Sequence, residues 1–556
     1  MFVVFEGIDG SGKTTLSGKV AKILNDAGIT VHQARPKGEL KSRLAGEIRT
    51  LARDPRNLTM SPYTEMFLFI ARDTQTIDTV IRPQLLEAEV VIADRYLYSA
   101  QVLCQARGLV PRADVDKAVE VAARGLWPDL VVYCDVDIDT SATRKRIDKL
   151  LHPRAPEDFG RKGLRGLGLR REMRAVYLEL AENNPNTWFV VDNAGATVDE
   201  NANLIVDKIL EVAGRPAIKR EPVRYPEYER FHADVDPGDL SKVRSDFYDY
   251  MARLIKVGRD GEAAYHLRSI DSEESWSFRE TLLESAPDVV AYGLAPLSSP
   301  PAMKLRWELM ETAPKRVARS LGAEWADTND EAWEMRRRLV DQVPDDVAAT
   351  LGTLDTENAW EMRDKLVKII PILALASLRG LDSERAWEMR AAFAKKKALP
   401  GLLKGLAYLD NEQAWAYREK HKRHLLPWVI LSLLGLDTER AWDIRNAYTQ
   451  TATKLVLRSA AGLVSDAAWG LRNSEGKWAK EAISTIKGID SNEAWDLRES
   501  LAEIWPGTVA KSVGMTLAMT NQGFDFLVKM AQKFPSDPDV IHYLVKAIEA
   551  KERIPS

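Results

Sequence analysis

Two cysteines, Cys104 and Cys134, are all that 556 residues contain. A disulfide framework is thereby excluded, and a reducing compartment fits. No uncharged apolar run is long enough to span a bilayer, and the chain opens on a strand-like run with neither a basic leader nor an apolar signal core. Neither sign of charge prevails: the formal net charge is −4, divided as about −1 over residues 1–214 and −3 over the rest. Neither half is therefore a basic nucleic-acid platform. With 45% hydrophobic and 29% charged residues, the expectation is a cytoplasmic protein of two or three domains with no membrane partner.

What is present begins at Gly7. The stretch Gly7-Ile8-Asp9-Gly10-Ser11-Gly12-Lys13-Thr14 follows the apolar run Met1 to Phe5 and precedes the helical pattern Leu16 to Leu24. Glycines at 7, 10 and 12 allow a tight turn whose amide hydrogens converge on phosphate at the positive end of the next helix. Lys13 then reaches the β and γ phosphates of a nucleotide, and the Thr14 hydroxyl can ligate Mg²⁺. Ser11 and Thr15 complete the candidate nucleotide site.

Two patterns divide the chain. Residues 1–214 alternate short apolar runs with helical patterns, and Phe2 to Phe5, Val90 to Ala93, Leu130 to Val136 and Trp188 to Val191 read as buried parallel strands of a doubly wound α/β domain. Residues 215–240 have the proline and charge density of a linker. Residues 241–556 read as all helix, with tryptophans at 276, 307, 333, 360, 387, 415, 442, 469 and 495 recurring every 26 to 31 residues. Eight of these nine are followed three residues later by arginine, and Pro287, Pro344, Pro371 and Pro506 stand eleven residues after a tryptophan, where they separate the helices of a hairpin. Such hairpins cannot bury their apolar faces alone, so the expectation is a HEAT-like α-solenoid of about nine units with atypical ends. Matching acids in every unit point to a structural ladder: the indole fills the seam between repeats, and the arginine stacks or bonds an acidic cap of a neighbour. The alternative is a row of guanidinium groups displayed to phosphates or to an acidic partner.

Two further segments carry chemistry. In Val91-Ile92-Ala93-Asp94-Arg95, an acid and an arginine leave the carboxyl end of a strand, where α/β domains bind ligands; Asp94 is placed to hold Mg²⁺ and Arg95 to clamp an acceptor phosphate. From Ser141 to Arg174 there are eleven Lys and Arg against four acids, with Gly160, Gly163, Gly166 and Gly168 interleaved. This composition suits a closing lid that neutralises charge during phosphoryl transfer.

Residues 1–214 resemble thymidylate kinases. Phe5 to Thr15 matches that family's phosphate loop, Asp94-Arg95-Tyr96 with Ser99 its Asp-Arg motif, and Gly46 to Arg49, Ile81 to Pro83, Pro128 to Leu130, Tyr177 to Ala181 and Val191 to Ala194 follow its pattern in order. The resemblance implies ATP and Mg²⁺, transfer of the γ-phosphoryl group to dTMP, and a homodimer. It implies that Asp9 contacts the acceptor sugar 3′-hydroxyl, Phe69 stacks on the base, and Arg35 and Arg95 hold the acceptor phosphate. Where family members have arginine after the loop acid this chain has Gly10, so the lid must supply that charge, with Arg154, Arg161 and Arg165 as the catalytic candidates.

The chain also departs from the family. The loop after the second strand is reduced to Arg35-Pro36-Lys37-Gly38-Glu39, and the base-reading Asp-Arg is transposed as Arg72-Asp73. Leu103 replaces an aromatic residue near the sugar, and Ala100 replaces a polar one near the base, with Gln101 as its substitute. A carboxylate at the base edge would accept from the amino group of cytosine or guanine rather than donate to thymine. Three readings therefore stand: a dTMP kinase whose repeats dock a protein partner, a nucleoside monophosphate kinase of altered base choice, or a nucleotide-gated helical scaffold.

Overall fold

The computed structural model describes every residue except 37–38, 55–56, 58–59, 152–167, 195, 219–230, 396, 474–477 and 554–556. Among the described residues, 1–145 and 168–218 form one compact unit, and 146–151 and 231–553 form another. The first is built on a parallel sheet of β1 (Phe2–Glu6), β2 (Val31–Gln33), β3 (Val90–Asp94), β4 (Leu130–Asp135) and β5 (Trp188–Asp192), in the order β2-β3-β1-β4-β5. Alternate residues sort to opposite faces. Phe2 and Val4 of β1 pack with Val91, Val131 and Tyr133 on one side, while Val3 and Phe5 pack with Ile92, Val132 and the helix residues Leu16, Val20 and Ile205 on the other. The four strands anticipated from apolar runs are present. The edge strand β2 was not anticipated, because its three residues are only partly buried and carry no apolar run.

The strand order reverses around β1, which lies between β3 and β4, so the crevice at the carboxyl ends of these strands is the binding position for this architecture. In register, Phe5 pairs with Asp94. That pairing brings the loop leaving β1 beside the segment leaving β3. Helix α1 (Lys13–Asp26) starts directly from the loop, and α2 (Arg43–Arg53) and α3 (Pro62–Thr76) begin at Ser42 and Ser61, whose hydroxyls accept amide hydrogens of the first turn. Five more long helices follow: α4 (Leu97–Arg107), α5 (Arg112–Ala123), α6 (Ile138–Leu151), α7 (Gly168–Asn183) and α8 (Val198–Val212).

The second unit is a succession of helical hairpins. Prolines 287, 314, 344, 371 and 506 occupy the first turn of second helices, where the missing amide hydrogen costs nothing. In the repeat of Trp442 no proline occurs at this point, and the two helices run on as Glu439–Ser459 with one non-helical residue, Ala452. The arginine ladder is buried throughout. In eight repeats the guanidinium lies 4.2 to 4.9 Å from the centre of the tryptophan ring three residues earlier.

The stacking is as expected, but apart from Arg336, which bonds Asp327 at 3.3 Å, the ladder's hydrogen bonds go to groups other than acids. Arg363, for example, donates to the carbonyls of Leu351 and Leu354 at the end of the preceding hairpin and to Ser377 Oγ in its own second helix. The aspartates are occupied by indoles instead: Trp360 Nε1 donates to Asp355 and Trp415 Nε1 to Asp410. Each arginine thereby satisfies carbonyls that a helix end leaves open and ties two hairpins together. The repeat lacking arginine after Trp307 is one of register. Arg306 takes the role, donating to Leu294 and Leu297 carbonyls and stacking on Trp325, so Met303 stands at the tryptophan position.

The expected solenoid ends are not free. Second helices pack in sequence from Asp260–His266 to Pro538–Glu552, and the last packs on the first and on Ser241–Lys256. The seam is polar: Arg268 bonds Asp539 at 2.9 Å, Tyr248 donates to Glu549 at 2.6 Å, Arg553 pairs with Asp271 and Arg244 with Glu552. The helical unit closes into a ring. Among the described residues, no helix is long and apolar enough to cross a membrane.

Candidate active site

The loop leaving β1 requires glycine for steric reasons. Gly10 has φ +90°, and a Cβ there would lie 2.5 Å from the Ser141 carbonyl oxygen. An arginine at this position does not fit the loop as built, which explains the departure at residue 10. Gly12, at φ +81°, faces the Asn193 amide closely enough to exclude any side chain. Asn193 in turn donates to the Ser11 carbonyl at 2.6 Å and accepts from Asn201, so the residues after β5 hold the loop from behind. Lys13 is buried, and its ammonium donates to the Ile8 carbonyl at 3.2 Å. Burial and the nearby Arg95 push its pKa down, against the pull of Asp94, Asp9 and Glu6.

Thr14 and Asp94, the two expected metal ligands, meet directly: Thr14 Oγ1 donates to Asp94 Oδ2 at 2.5 Å. The other carboxylate oxygen, Oδ1, is buried with no hydrogen-bond partner among the described residues. An unsatisfied buried carboxylate oxygen beside a hydroxyl at the start of α1 fits Mg²⁺ or its water. No group of three or more His, Cys, Asp or Glu suited to a metal occurs among the described residues.

Arg95 is held in a left-handed conformation, φ +80°, at a cost of order 1–3 kcal/mol. Its surroundings enforce it. The guanidinium donates to Asp9 at 2.6 Å and Ser99 at 2.9 Å, and the next amide, of Tyr96, donates to Glu6 at 2.9 Å. Burial opposes the charge on Arg95, but Asp9, Tyr177, Glu6 and Asp94 outweigh it and raise its pKa.

Glu6 was not among the expected site residues. It is wholly buried and accepts from Tyr96, Ser99 and Tyr177, and burial raises its pKa while Arg95 and these donors lower it. An acid closing an otherwise apolar strand immediately before Gly7 was the available signal.

Around Arg95 stands a cluster of guanidinium groups. Arg35 is 6% exposed, and its Nε has no partner among the described residues; burial lowers its pKa to about 10, while Asp73 pulls upward. Arg53 at the end of α2 likewise has an unpartnered buried Nε, and burial, with Arg49 beside it, lowers its pKa to about 10. Sequence reasoning did not single out Arg53, since one arginine among several on an amphipathic helix is no signal. Arg72 and Asp73 are both buried and grip each other in a fork, Nε to Oδ1 at 2.7 Å and a terminal nitrogen to Oδ2 at 2.6 Å. The Arg72 guanidinium lies 5.3 Å from the Phe69 ring centre, and Asp73 lies 4.0 Å from Arg35. Gln101 donates its amide to Asp116 of α5 at 2.7 Å.

The lid candidates Arg154, Arg161 and Arg165 lie outside the described residues. The helices flanking that stretch do reach the loop region. Ser141 Oγ donates to the Asp9 carbonyl, Arg170 donates to Ser141 Oγ at 3.4 Å, and Arg144 donates to the Asn193 carbonyl at 2.9 Å. The glycine loop, the Thr14–Asp94 pair and the guanidinium groups around Arg95 thus share the carboxyl end of one sheet.

The family model described as Thymidylate kinase matches residues 5–205. The Thymidylate kinase of Pelobacter propionicus is 35% identical over 213 residues, covering 38% of this chain and 94% of that protein. Those of Nitratidesulfovibrio vulgaris, at 34% over 39% of this chain and 99% of the relative, and Mycoplasma capricolum, at 32% over 38% and 95%, align similarly. Through this region the chain belongs to the thymidylate kinase family.

Proposed function

We propose that residues 1–214 are a phosphotransferase domain that moves the γ-phosphoryl group of ATP to dTMP, yielding ADP and dTDP, with 215–240 as a linker and 241–556 as a helical-repeat domain. The observation that carries this reading is the set of buried, unsatisfied groups beside the phosphate loop: Arg35 Nε, Arg53 Nε and Asp94 Oδ1. A pure nucleotide switch has no use for guanidinium groups on the acceptor side.

In the reaction, an oxygen of the dTMP phosphate attacks the γ phosphorus, and the bond from that phosphorus to the β–γ bridging oxygen breaks, its electron pair leaving with ADP. Most of the work is positioning and charge neutralisation. Loop amides and Lys13 hold the β and γ phosphates, Arg35 and Arg95 fix the acceptor phosphate in line, and Asp9 orients both Arg95 and the sugar. Thr14 and Asp94 would hold Mg²⁺, which when bound offsets phosphate charge. Phe69 supplies the face on which the base stacks, and the lid arginines close over the moving group. The site excludes competing attack by water as that lid closes.

Base choice favours thymine. Both Asp73 oxygens are engaged by Arg72, which leaves the arginine as the donor toward a base carbonyl. The test is ADP release by the full chain with ATP, Mg²⁺ and each of dTMP, dUMP, dCMP and dGMP, with Lys13→Ala as control. Preference for dTMP supports the reading. Preference for dCMP or dGMP replaces it by the altered-base kinase, and turnover with none of them by the nucleotide-gated scaffold.

A further inference from the structure

The closed helical ring contains a cavity of about 410 Å³ near its seam, within the size range of small-molecule sites. Five cations line it: Arg268, Arg319, Lys487, Lys511 and Lys546; no Asp or Glu is among its described lining residues. Two of the five are compensated, Arg268 by Asp539 at 2.9 Å and Arg319 by Asp346 at 2.7 Å. The three lysines make no ion pair or hydrogen bond with any described residue, which leaves three amino groups without a counter-charge. The cavity also offers two tyrosine rings, Tyr292 and Tyr543, and the buried His542, whose Nδ1 has no hydrogen-bond partner among the described residues.

A bland origin is available for part of this charge. Arg319 lies in the last turn of a second helix and Lys487 just beyond one, where a cation offsets the negative helix end. That account extends to Lys511, in the last turn before its helix breaks at Gly514, but fails for Lys546, which lies mid-helix in Pro538–Glu552. Both are partly buried and face other cations. Burial, with Arg146, Arg268 and Lys487 alongside, pushes Lys511 down to about 7 against the pull of Asp539, and burial with Arg268 and Lys487 pushes Lys546 down to about 8. Like charges held together without counter-charge destabilise the free ring. Such an arrangement is stable when an anion supplies the missing charge.

We infer that this cavity is a binding site for a compact chain of phosphoryl groups, a triphosphate of inorganic or nucleotide origin, clasped by Lys487, Lys511 and Lys546 with Arg268 and Arg319 behind them. The tyrosines give a nucleotide base a face to stack on. The site is independent of the phosphate loop and does not rest on the kinase reading.

Calorimetric titration of the full chain with inorganic triphosphate, and separately with ATP, tests this by counting sites. The expected result is two sites per chain in the unsubstituted protein and one in Lys511→Met/Lys546→Met, with the loop site intact. The pair of substitutions is also expected to raise the melting temperature of the anion-free protein, since it removes uncompensated charge. Equal site numbers in the two proteins, or a lowered melting temperature showing that the lysines are structural, overturns the proposal. Should the methionine pair not fold, the exposed Lys487→Ala is expected to weaken the same site by about threefold; unchanged binding there overturns it. Filling by inorganic triphosphate alone identifies a bare polyphosphate, and equal or tighter filling by ATP a nucleotide.

Discussion

Both units of this molecule bury arginine, and to different ends. In the helical ring, nine arginines from Arg279 to Arg498 are almost inaccessible, yet most of their donors meet backbone carbonyls and serine hydroxyls, and their faces meet tryptophan. In the sheet unit, the buried Arg35 and the partly buried Arg53 each keep a buried Nε unmet, and Arg95 is held by two carboxylates and a strained backbone beside a phosphate loop. Burial of charge therefore does not mark a functional site. Unmet donors do not mark one alone either, since Arg390, Arg418, Arg472 and Arg498 of the ring also keep a buried nitrogen without a partner among the described residues; what sets the sheet unit apart is that its unmet donors gather beside a glycine loop and a bare Asp94 oxygen.

The sharpest way to break the comparison is to remove one cation of each kind. Lys13→Ala is expected to lower the rate of phosphoryl transfer by about 10²–10³-fold, the range for loss of one preorganised electrostatic donor, with thermal unfolding unchanged. Arg363→Ala should do the reverse. It leaves the carbonyls of Leu351 and Leu354 and the Ser377 hydroxyl without their donor and opens a void under Trp360. A loss of about 3 kcal/mol follows, read by denaturant unfolding of the full chain. Arg363→Lys should recover little, because the three acceptors are met by three separate nitrogens of the planar guanidinium, a span that a single ammonium nitrogen does not cover. A stability loss below about 1 kcal/mol would show that the ladder is not what ties the hairpins.

The ring seam offers a third test. His266 is 5% exposed, and burial, with Arg268 and Arg259 acting against Asp539 and Glu262, lowers its pKa from 6.5 to about 4. His542, pressed by burial and by Arg268, Lys546 and His266, is also lowered well below its ordinary value. Both are thus neutral in the fold at a pH where an unfolded chain takes up protons. Their contribution to stability is complete above the unfolded value near 6.5 and is lost as pH falls from there toward 4. The expected change is of order 1–3 kcal/mol, and His266→Phe should flatten the profile in that window. A stability curve of unchanged slope between pH 6.5 and 4 in that variant would remove His266 from the account.

How far the sequence carried these conclusions follows the same division. The phosphate loop, Asp94 and Arg95 were legible because their chemistry is local and fixed in spacing, and the prolines placed the hairpin breaks. Features that depend on contact across the chain were not. The carbonyl partners of the arginines, the replacement of a Trp307-based register by Arg306, and the closure of the ring through Arg268 and Asp539 all join residues whose proximity no spacing announces. The engagement of Gln101 with Asp116 is of this kind too, since it depends on how α4 and α5 pack. Arg53 was hidden by its helix, and Glu6 by its strand.

The transposed pair Arg72-Asp73 is where sequence and structure together give the finest distinction. Read as letters, a carboxylate has moved to the base edge. Read as geometry, that carboxylate spends both oxygens on the adjacent guanidinium, so its effect on the base is indirect: it fixes the direction of Arg72 above Phe69. The two accounts diverge on Asp73→Asn. If Asp73 orients Arg72, the amide keeps one acceptor and loses the charge, and the preference for dTMP over dCMP in kcat/KM should fall by about tenfold, the value of one charge-assisted hydrogen bond, mainly through a higher KM for dTMP. If instead Asp73 reads an amino group directly, the unsubstituted protein should prefer dCMP or dGMP, and Asp73→Asn should abolish that preference while leaving the KM for dTMP unchanged. The direction in which the KM for dTMP moves decides which side chain faces the base.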